Sequence, residues 1–192
     1  MTQRDFLLAI ARALHGAGIP YMVAGSHASS HYGQPRATQD ADFVIDPTRS
    51  QLDLFLDALG PDYYVSRPAA QEALEHRHMF NVIDFSNGWK ADFIIRKDRP
   101  FSLEEFRRRR PANWQGQQLP IASPEDVILT KLEWDRISPS ERQRQDALGV
   151  ALALGPLLDR SYLRHWAPAL GIVDSLEELL RQADALPPPQ SS

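Results

Sequence analysis

The stretch that decides the fold runs from Tyr21 to Asp46 and reads YMVAGSHASSHYGQPRATQDADFVID. Its apolar start predicts a strand, and Gly25-Ser26 predicts a turn into a short helix that Gly33 ends. A loop then brings Asp40 and Asp42 to the start of a second apolar strand. Because alternate residues of a strand point the same way, the sequence predicts two carboxylates on one face.

Two carboxylates held this close repel each other unless a cation lies between them or one is protonated. Asp92 lies in a similar apolar strand, 91–95, and is a candidate third carboxylate. Asp84, in the run Val82-Ile83-Asp84-Phe85, has equally apolar neighbours and is its alternative. The two acids stand on the two arms of a predicted hairpin, with Ser86-Asn87-Gly88 as the turn.

The pattern as a whole predicts an α+β fold, in which a mixed β-sheet with flanking helices is followed by a C-terminal helical region. Thr2 with Asp5 resembles a capping box at the first helix, and Ser123-Pro124 begins the C-terminal helices. We therefore expect an α/β core at 1–122, a helical region packed on it at 123–186, and a disordered proline-rich tail at 187–192.

The chain has 192 residues with 43% hydrophobic content, which is consistent with an ordinary soluble enzyme. Zero cysteines exclude disulfides, cysteine–zinc sites and thiol catalysis, and fit a reducing cytoplasm, where we expect the protein. We expect no signal peptide and no membrane span, since no run approaches ~20 apolar residues. The net charge of −4 is uneven, because the segment from Arg96 to Trp114 carries seven basic and three acidic residues. This contrast can orient a polyanionic substrate.

The ordered set of motifs resembles the nucleotidyltransferases of the DNA polymerase beta superfamily, and within them the bacterial minimal and AbiEii-like nucleotidyltransferases. Some of those are toxins of toxin–antitoxin pairs. The resemblance favours Asp92 over Asp84, since the Trp89–Ile95 strand looks more like the family's third-aspartate strand. The matching motifs in this sequence are Gly25-Ser26, Arg36-Ala37-Thr38-Gln39-Asp40-Ala41-Asp42, the Asp92 strand, and Ser123-Pro124-Glu125-Asp126 with Lys131.

The resemblance implies that three aspartates, Asp40, Asp42 and Asp92, are catalytic and hold two Mg²⁺ (or Mn²⁺) ions about 3.5–4 Å apart. It also implies a nucleotide-binding set that receives an NTP such as ATP, with backbone N–H groups at a helix N-terminus meeting the triphosphate. That set comprises Gly25, Ser26, His27, Arg36, Thr38 and Lys131. The implied activity is transfer of NMP to an acceptor hydroxyl with release of pyrophosphate.

The acceptor stays open at this stage. An RNA or tRNA 3′ end suits the toxin-like relatives and the basic run Arg107–Arg110 beside Trp114, which is equally explained as a solvated charge run. A protein hydroxyl, on a cognate toxin or antitoxin, and a small antibiotic are alternatives. So is a non-catalytic antitoxin or regulatory module on the same fold.

The roles of four histidines and of one helix residue have more than one explanation. His27 and His31 are one helical turn apart, but without further ligands local packing explains them better than a metal site. His76 and His78 read as a surface pair. Asp146 reads as a helix-surface residue and, through the resemblance, as a secondary candidate for the rim of the active site.

Overall fold

The computed structural model describes residues 2–114 and 116–186, so the predicted tail at 187–192 lies outside the described residues. The chain divides into two compact units, the first formed by Met1–Ala24 with Thr38–Ile121 and the second by Gly25–Ala37 with Ala122–Ser192. The predicted boundary after residue 122 lies next to the observed change between Ile121 and Ala122. The segment 25–37, expected in the core, instead groups with the C-terminal helices.

Helices and strands are numbered along the chain. The helices are α1 Gln3–Gly16, α2 Gly25–Tyr32, α3 Arg49–Ala58, α4 Arg67–His76, α5 Pro100–Arg107, α6 Pro124–Ile137, α7 Glu141–Leu154, α8 Arg160–Leu170 and α9 Val173–Ala185. The strands are β1 Tyr21–Val23, β2 Asp40–Ile45, β3 Tyr63–Val65, β4 Met79–Asp84, β5 Lys90–Ile95, β6 Arg110–Trp114 and β7 Gln117–Ile121. No helix in the described part of the chain is long and apolar enough to cross a membrane.

The first unit contains a mixed sheet in the order β3-β4-β5-β2-β1-β7-β6. Strands β2 and β5 run parallel, as do β1 and β7, while the remaining neighbours are antiparallel. The predicted α+β class with a mixed sheet is confirmed. The two central parallel strands matter most for function, because they carry the acids that the sequence singled out.

Aromatic packing fixes one face of these central strands. Phe93 stacks on Phe43 with ring centroids 5.6 Å apart and on Phe80 at 4.9 Å, and Phe55 of α3 meets it at 5.2 Å. All of these rings are buried. Each such pair contributes about 0.5–1.5 kcal/mol beyond burial of area. Because alternate residues of a strand face opposite ways, Asp40 and Asp42 lie on the other face of the sheet. Their register partners on β5, Lys90 and Asp92, lie on that face too.

Helix starts in the first unit follow the expected chemistry. Thr2 and Asp5 form the predicted capping box at α1, and Thr48 forms a second one with Gln51 at α3. One element was not predicted from the sequence, the hairpin of β6 and β7, whose first strand lies in the charged segment from Arg96 to Trp114. Pro111 argues against a strand in the sequence. The proline is tolerated because β6 is an edge strand, which needs no N–H donor on its free side.

The second unit is helical, with α2 packed against α6 and α7, and α9 packed against α7 and α8. Helix α2 ends at Tyr32, one residue before Gly33, as the sequence predicted. A Cβ atom added at Gly33 would lie 2.9 Å from the backbone of Gly149 and Val150 on α7. Only glycine therefore permits this approach of α2 to α7.

We expect Gly33→Ala to lower the free energy of unfolding by about 1–3 kcal/mol, because backbone atoms on both sides must move to admit the methyl group. Urea unfolding checks this value. Gly16→Ala is the matched control: its added Cβ meets nothing within 4 Å, and alanine suits a helix end better, so stability should hold or rise. Equal effects of the two substitutions would contradict the close approach at Gly33.

Candidate active site

In the first unit, three acids and one lysine form a two-by-two array on neighbouring strands. Asp40 pairs in register with Lys90, and Asp42 pairs with Asp92, across the parallel strands β2 and β5. Neighbouring strands lie about 4.8 Å apart, and residues two apart share a face. All four side chains therefore start from one patch of the sheet, on the face opposite the aromatic core. We call these four residues the acidic array.

Lys90 neutralises part of the acidic array. Its Nζ lies 2.9 Å from Oδ2 of Asp92 and 3.6 Å from Oδ1 of Asp40. The contact with Asp92 is the stronger, because that carboxylate is 11% exposed whereas Asp40 is 49% exposed. The hydrogen bond to Asp92 and the charges of both acids raise the pKa of Lys90. With three carboxylates and one ammonium, the array keeps a formal charge of −2.

The array fits a divalent cation by its donor chemistry. Carboxylate oxygens are the ligands that Mg²⁺ prefers, and an ammonium already lies within reach of two of the acids. Among residues 2–114 and 116–186, however, no group of three or more His, Asp or Glu side chains is arranged to hold a metal ion. The metal set of Asp40, Asp42 and Asp92 thus stays a prediction, with the residues adjacent and Lys90 between two of them.

Asp84 has a different task. It is fully buried at the end of β4, and its carboxylate accepts hydrogen bonds from the backbone N and Oγ of Ser86 and from Nδ2 of Asn87. Burial alone would raise the pKa of Asp84, but these three hydrogen bonds hold it below the usual value. Asp84 therefore holds the β4–β5 turn, while the register places Asp92 beside Asp42. The choice of Asp92 rather than Asp84 as the third catalytic acid stays a prediction.

In the second unit, α2 begins at Gly25 with a φ of 56°, a backbone conformation that favours glycine. Ser26 follows, and its Oγ accepts a hydrogen bond from Nη2 of Arg36. The first N–H groups of a helix have no partner within the helix, and they carry partial positive charge. A helix start of this kind can attract an anion, and the assignment of Gly25 and Ser26 to the nucleotide stays a prediction.

Arg36, Lys131 and Asp146 form a partly buried ionic cluster in the same unit. Arg36 donates to both carboxylate oxygens of Asp146, at 2.9 and 3.0 Å, and Lys131 Nζ lies 2.8 Å from Oδ2. The Lys131 and Asp146 side chains are 7% and 8% exposed. Burial would raise the pKa of Asp146, but the hydrogen bonds from Arg36 and Lys131 outweigh it and lower the pKa. Two cations and one anion leave this cluster at +1.

Asp146 is more central than the sequence indicated. It was expected at the surface or the rim, yet it joins two residues of the predicted nucleotide-binding set. Arg36 and Asp146 are 110 positions apart in the sequence, so no local pattern could indicate that they pair. Lys90 was missed altogether, although its spacing to Asp92 repeats the Asp40–Asp42 spacing and so carried the same signal of a shared face.

The remaining predicted residues have more ordinary surroundings. In the first unit, Thr38 Oγ1 donates to the backbone carbonyl of Asp40 and so orders the loop before β2. In the basic run, Arg107 pairs with Glu104, and the guanidinium of Arg109 lies 4.3 Å from the ring centroid of Phe106. Arg107 and Arg109 are thus engaged within their own unit. His76 and His78 lie 6.0 Å apart between ring centroids.

His27 is a buried titratable group of the second unit. The residue is 9% exposed. Burial, and secondarily the positive charge of Arg36, lower its pKa from 6.5 to about 4. The imidazole is therefore neutral at physiological pH, which keeps an added positive charge out of the interior of the second unit.

We expect acid to destabilise the protein through His27. Between pH 6.5 and 4 the unfolded chain binds a proton that the folded chain does not, so stability falls as pH falls, by about 3 kcal/mol over this window. His27→Gln should lose this part of the slope in urea unfolding at several pH values. His15→Gln, at an exposed position, is the control and should keep it. An unchanged slope in His27→Gln would contradict the assignment.

No protein-family model and no curated protein matches this sequence. Solved structures do resemble it. The solution structure of the antibiotic-resistance factor ANT(2″)-Ia aligns with a TM-score of 0.61 and 13% identity, over 92% of this chain and 97% of that one. A crystal structure of ANT(2″)-Ia in complex with adenylyl-2″-tobramycin gives 0.57 and 14%, over 96% and 98%.

A third similar structure is an antigenic nucleotidyltransferase-like protein from Paracoccidioides brasiliensis, with a TM-score of 0.59 and 17% identity over 93% of this chain and 92% of that chain. At these identities the likeness establishes architecture. The chain therefore has the nucleotidyltransferase-like fold, with a mixed sheet and C-terminal helices.

Proposed function

We propose that this protein is a nucleotidyltransferase that transfers NMP from an NTP to an acceptor hydroxyl. The observation that carries the proposal is the register of the acidic array, which brings Asp42 and Asp92 side by side with Asp40 on the same face of the sheet. The nucleotidyltransferase-like fold supports the same class of reaction. Fold alone does not determine function, so the array is the stronger argument.

In the proposed reaction, the acceptor oxygen forms a bond to the α-phosphorus of the NTP. The bond from that phosphorus to the bridging oxygen breaks, and pyrophosphate leaves with its electron pair. Asp92 accepts the acceptor's proton, a role open to a carboxylate within hydrogen-bonding reach. Asp40, Asp42 and Asp92 would hold divalent cations, which supply charge stabilisation and a more acidic hydroxyl when bound.

The resemblance assigns triphosphate binding to residues of the second unit, and this assignment stays a prediction. The first N–H groups of α2, at Gly25 and Ser26, would donate to phosphate oxygens. Lys131 would add the positive charge of its ammonium, which is held in place by Asp146. The net charge of +1 on the Arg36–Asp146–Lys131 cluster supports this assignment, because the cluster retains one unit of positive charge after Asp146 is neutralised.

For the acceptor we retain an RNA or tRNA 3′ end, on the basic run Arg107–Arg110. The engagement of Arg107 and Arg109 weakens that argument. The second candidate is a small antibiotic hydroxyl, which the likeness to ANT(2″)-Ia favours. A protein hydroxyl on a toxin or antitoxin partner is a third possibility, and it belongs with the AbiEii-like resemblance.

A labelling experiment tests the function and separates the acceptors. The purified protein is incubated with each α-labelled NTP, Mg²⁺ or Mn²⁺, and in turn total RNA, tobramycin and a lysate protein fraction. We expect one acceptor to gain label and pyrophosphate to appear in equal amount. Label that ribonuclease removes indicates RNA. NTP binding without transfer to any acceptor would favour the non-catalytic regulatory module and overturn the proposal.

A further inference from the structure

We propose that Lys90 is a built-in counter-cation: it holds Asp40 and Asp92 in the metal-free protein and must withdraw before a divalent cation can bind there. The inference deepens the proposed function, because it assumes that the acidic array takes a metal ion. It concerns residues of the first unit alone. The experiments that test it measure metal binding and unfolding, so they do not require NMP transfer to be observed.

The position of Lys90 is determined by the backbone. It is the register partner of Asp40, and it stands two residues before Asp92 on the same strand. Both relations place its side chain on the face that carries the acids. Ala91 and Phe93, its neighbours on the other face, are fully buried, so β5 cannot rotate to turn Lys90 away. The backbone therefore fixes the face on which the Lys90 side chain starts, although the side chain itself can still move.

The contacts show what the ammonium does. Nζ lies 2.9 Å from one oxygen of Asp92 and 3.6 Å from one oxygen of Asp40, so it bridges two strands. Without it, three adjacent carboxylates would face one another with no positive charge from the array itself, and like charges at this spacing repel. With it, the array is held at −2 before any metal arrives.

A metal ion that uses Asp40 and Asp92 must take the place of this ammonium. A divalent cation adds two positive charges where one leaves, so the exchange is favourable but carries the cost of breaking the Lys90 contacts. The lysine side chain is one-third exposed and has four flexible methylene groups, so it has an open direction in which to withdraw. Lys90 therefore lowers metal affinity in the absence of nucleotide.

The test measures Mn²⁺ binding by calorimetry and by electron paramagnetic resonance, without NTP. We expect Lys90→Met to lower the Kd for Mn²⁺ about tenfold, the equivalent of one charged hydrogen bond no longer broken. Lys97→Met is the matched control, since it removes the same charge from an exposed site of the same unit. It should change the Kd less than about twofold. The gain in Mn²⁺ affinity should vanish when Asp42→Asn is combined with Lys90→Met.

Unfolding supplies a second readout. In EDTA, Lys90→Met should melt at a lower temperature than the wild type, and Mn²⁺ should raise its Tm by more than it raises the wild type's. If Lys90→Met folds only with Mn²⁺, the proposal is supported outright. Lys90→Arg keeps the proposal testable if Lys90→Met does not fold. It retains a positive charge and should bind Mn²⁺ no more tightly than the wild type.

Equal or weaker Mn²⁺ binding by folded Lys90→Met would overturn the proposal, and so would tighter binding by Lys90→Arg. Absence of Asp42-dependent Mn²⁺ binding in every variant would overturn it as well. The proposed function fails differently, when Mn²⁺ binds in an Asp42-dependent way but no acceptor gains label. In that case the counter-cation role of Lys90 would stand on its own.

Discussion

Asp42→Asn is expected to lower the rate of NMP transfer by at least about a thousandfold, which corresponds to about 4 kcal/mol of transition-state stabilisation. The reason is its place in the acidic array. Asp42 is the register partner of Asp92 and shares a face with Asp40, so it is the acid best placed to hold a cation jointly with either. Asparagine keeps the size of the side chain but removes the charge that a divalent ion requires.

The fold should tolerate this change. The array carries −2 in the metal-free protein, and removing one negative charge relieves repulsion, so the Tm in EDTA should hold or rise. Transfer is measured by pyrophosphate release with the acceptor that the labelling experiment identifies. Full activity of Asp42→Asn would remove the metal assignment.

Asp84→Asn is the matched control, since it is the same substitution on the neighbouring arm of the hairpin. Asp84 accepts three hydrogen bonds at the β4–β5 turn, and its charged form is the one these bonds favour. We therefore expect Asp84→Asn to lower stability while the folded fraction retains transfer. The reverse outcome, with transfer lost only in Asp84→Asn, would show that the wrong arm of the hairpin had been chosen.

Local patterns predicted the parts of the site that are local in the chain. The Asp40–Asp42 spacing gave a shared face, and the glycine–serine turn gave the start of α2. The pairing of Asp42 with Asp92 was beyond those patterns, because register between strands fifty positions apart depends on how the whole sheet packs. The same limit hid the Arg36–Asp146 pair.

Lys90 was missed for another reason. Its spacing to Asp92 indicated a shared face, but a lysine at a strand end is usually a solvated charge, and its contact with Asp40 depends on the pairing of β5 with β2. The hairpin of β6 and β7 was missed because Pro111 and the basic run argue against a strand in sequence. An edge strand needs no donor on its free side, so the structure accommodates both.

The second large effect concerns the ionic cluster of the second unit, where stability and transfer should respond to different residues. Asp146→Asn leaves buried Lys131 and half-buried Arg36 facing each other without the carboxylate that joins them. We expect the free energy of unfolding to fall by about 3–5 kcal/mol at neutral pH, as for other buried pairs that lose one partner. Chemical denaturation measures this value.

The pH dependence of the effect has a definite sign. The folded protein lowers the pKa of Asp146, so the stabilisation is fully present above the ordinary carboxyl pKa of about 4 and is lost as pH falls through the lowered value. The difference between wild type and Asp146→Asn should therefore shrink only in strong acid. A difference that stayed constant down to the lowest pH at which the protein folds would contradict the charged role of Asp146.

Lys131→Met should show the opposite balance. Asp146 keeps its two hydrogen bonds from Arg36 in this variant, so no buried charge is left alone and the loss of stability should be smaller than in Asp146→Asn. Transfer should fall by about a hundredfold, since a positive charge assigned to the triphosphate is gone. Lys131→Arg, which retains the charge, should recover part of it. If Lys131→Met were destabilised as strongly as Asp146→Asn and transferred normally once folded, the lysine would be a structural partner of Asp146, and the triphosphate would have to be held by the α2 N-terminus and Arg36.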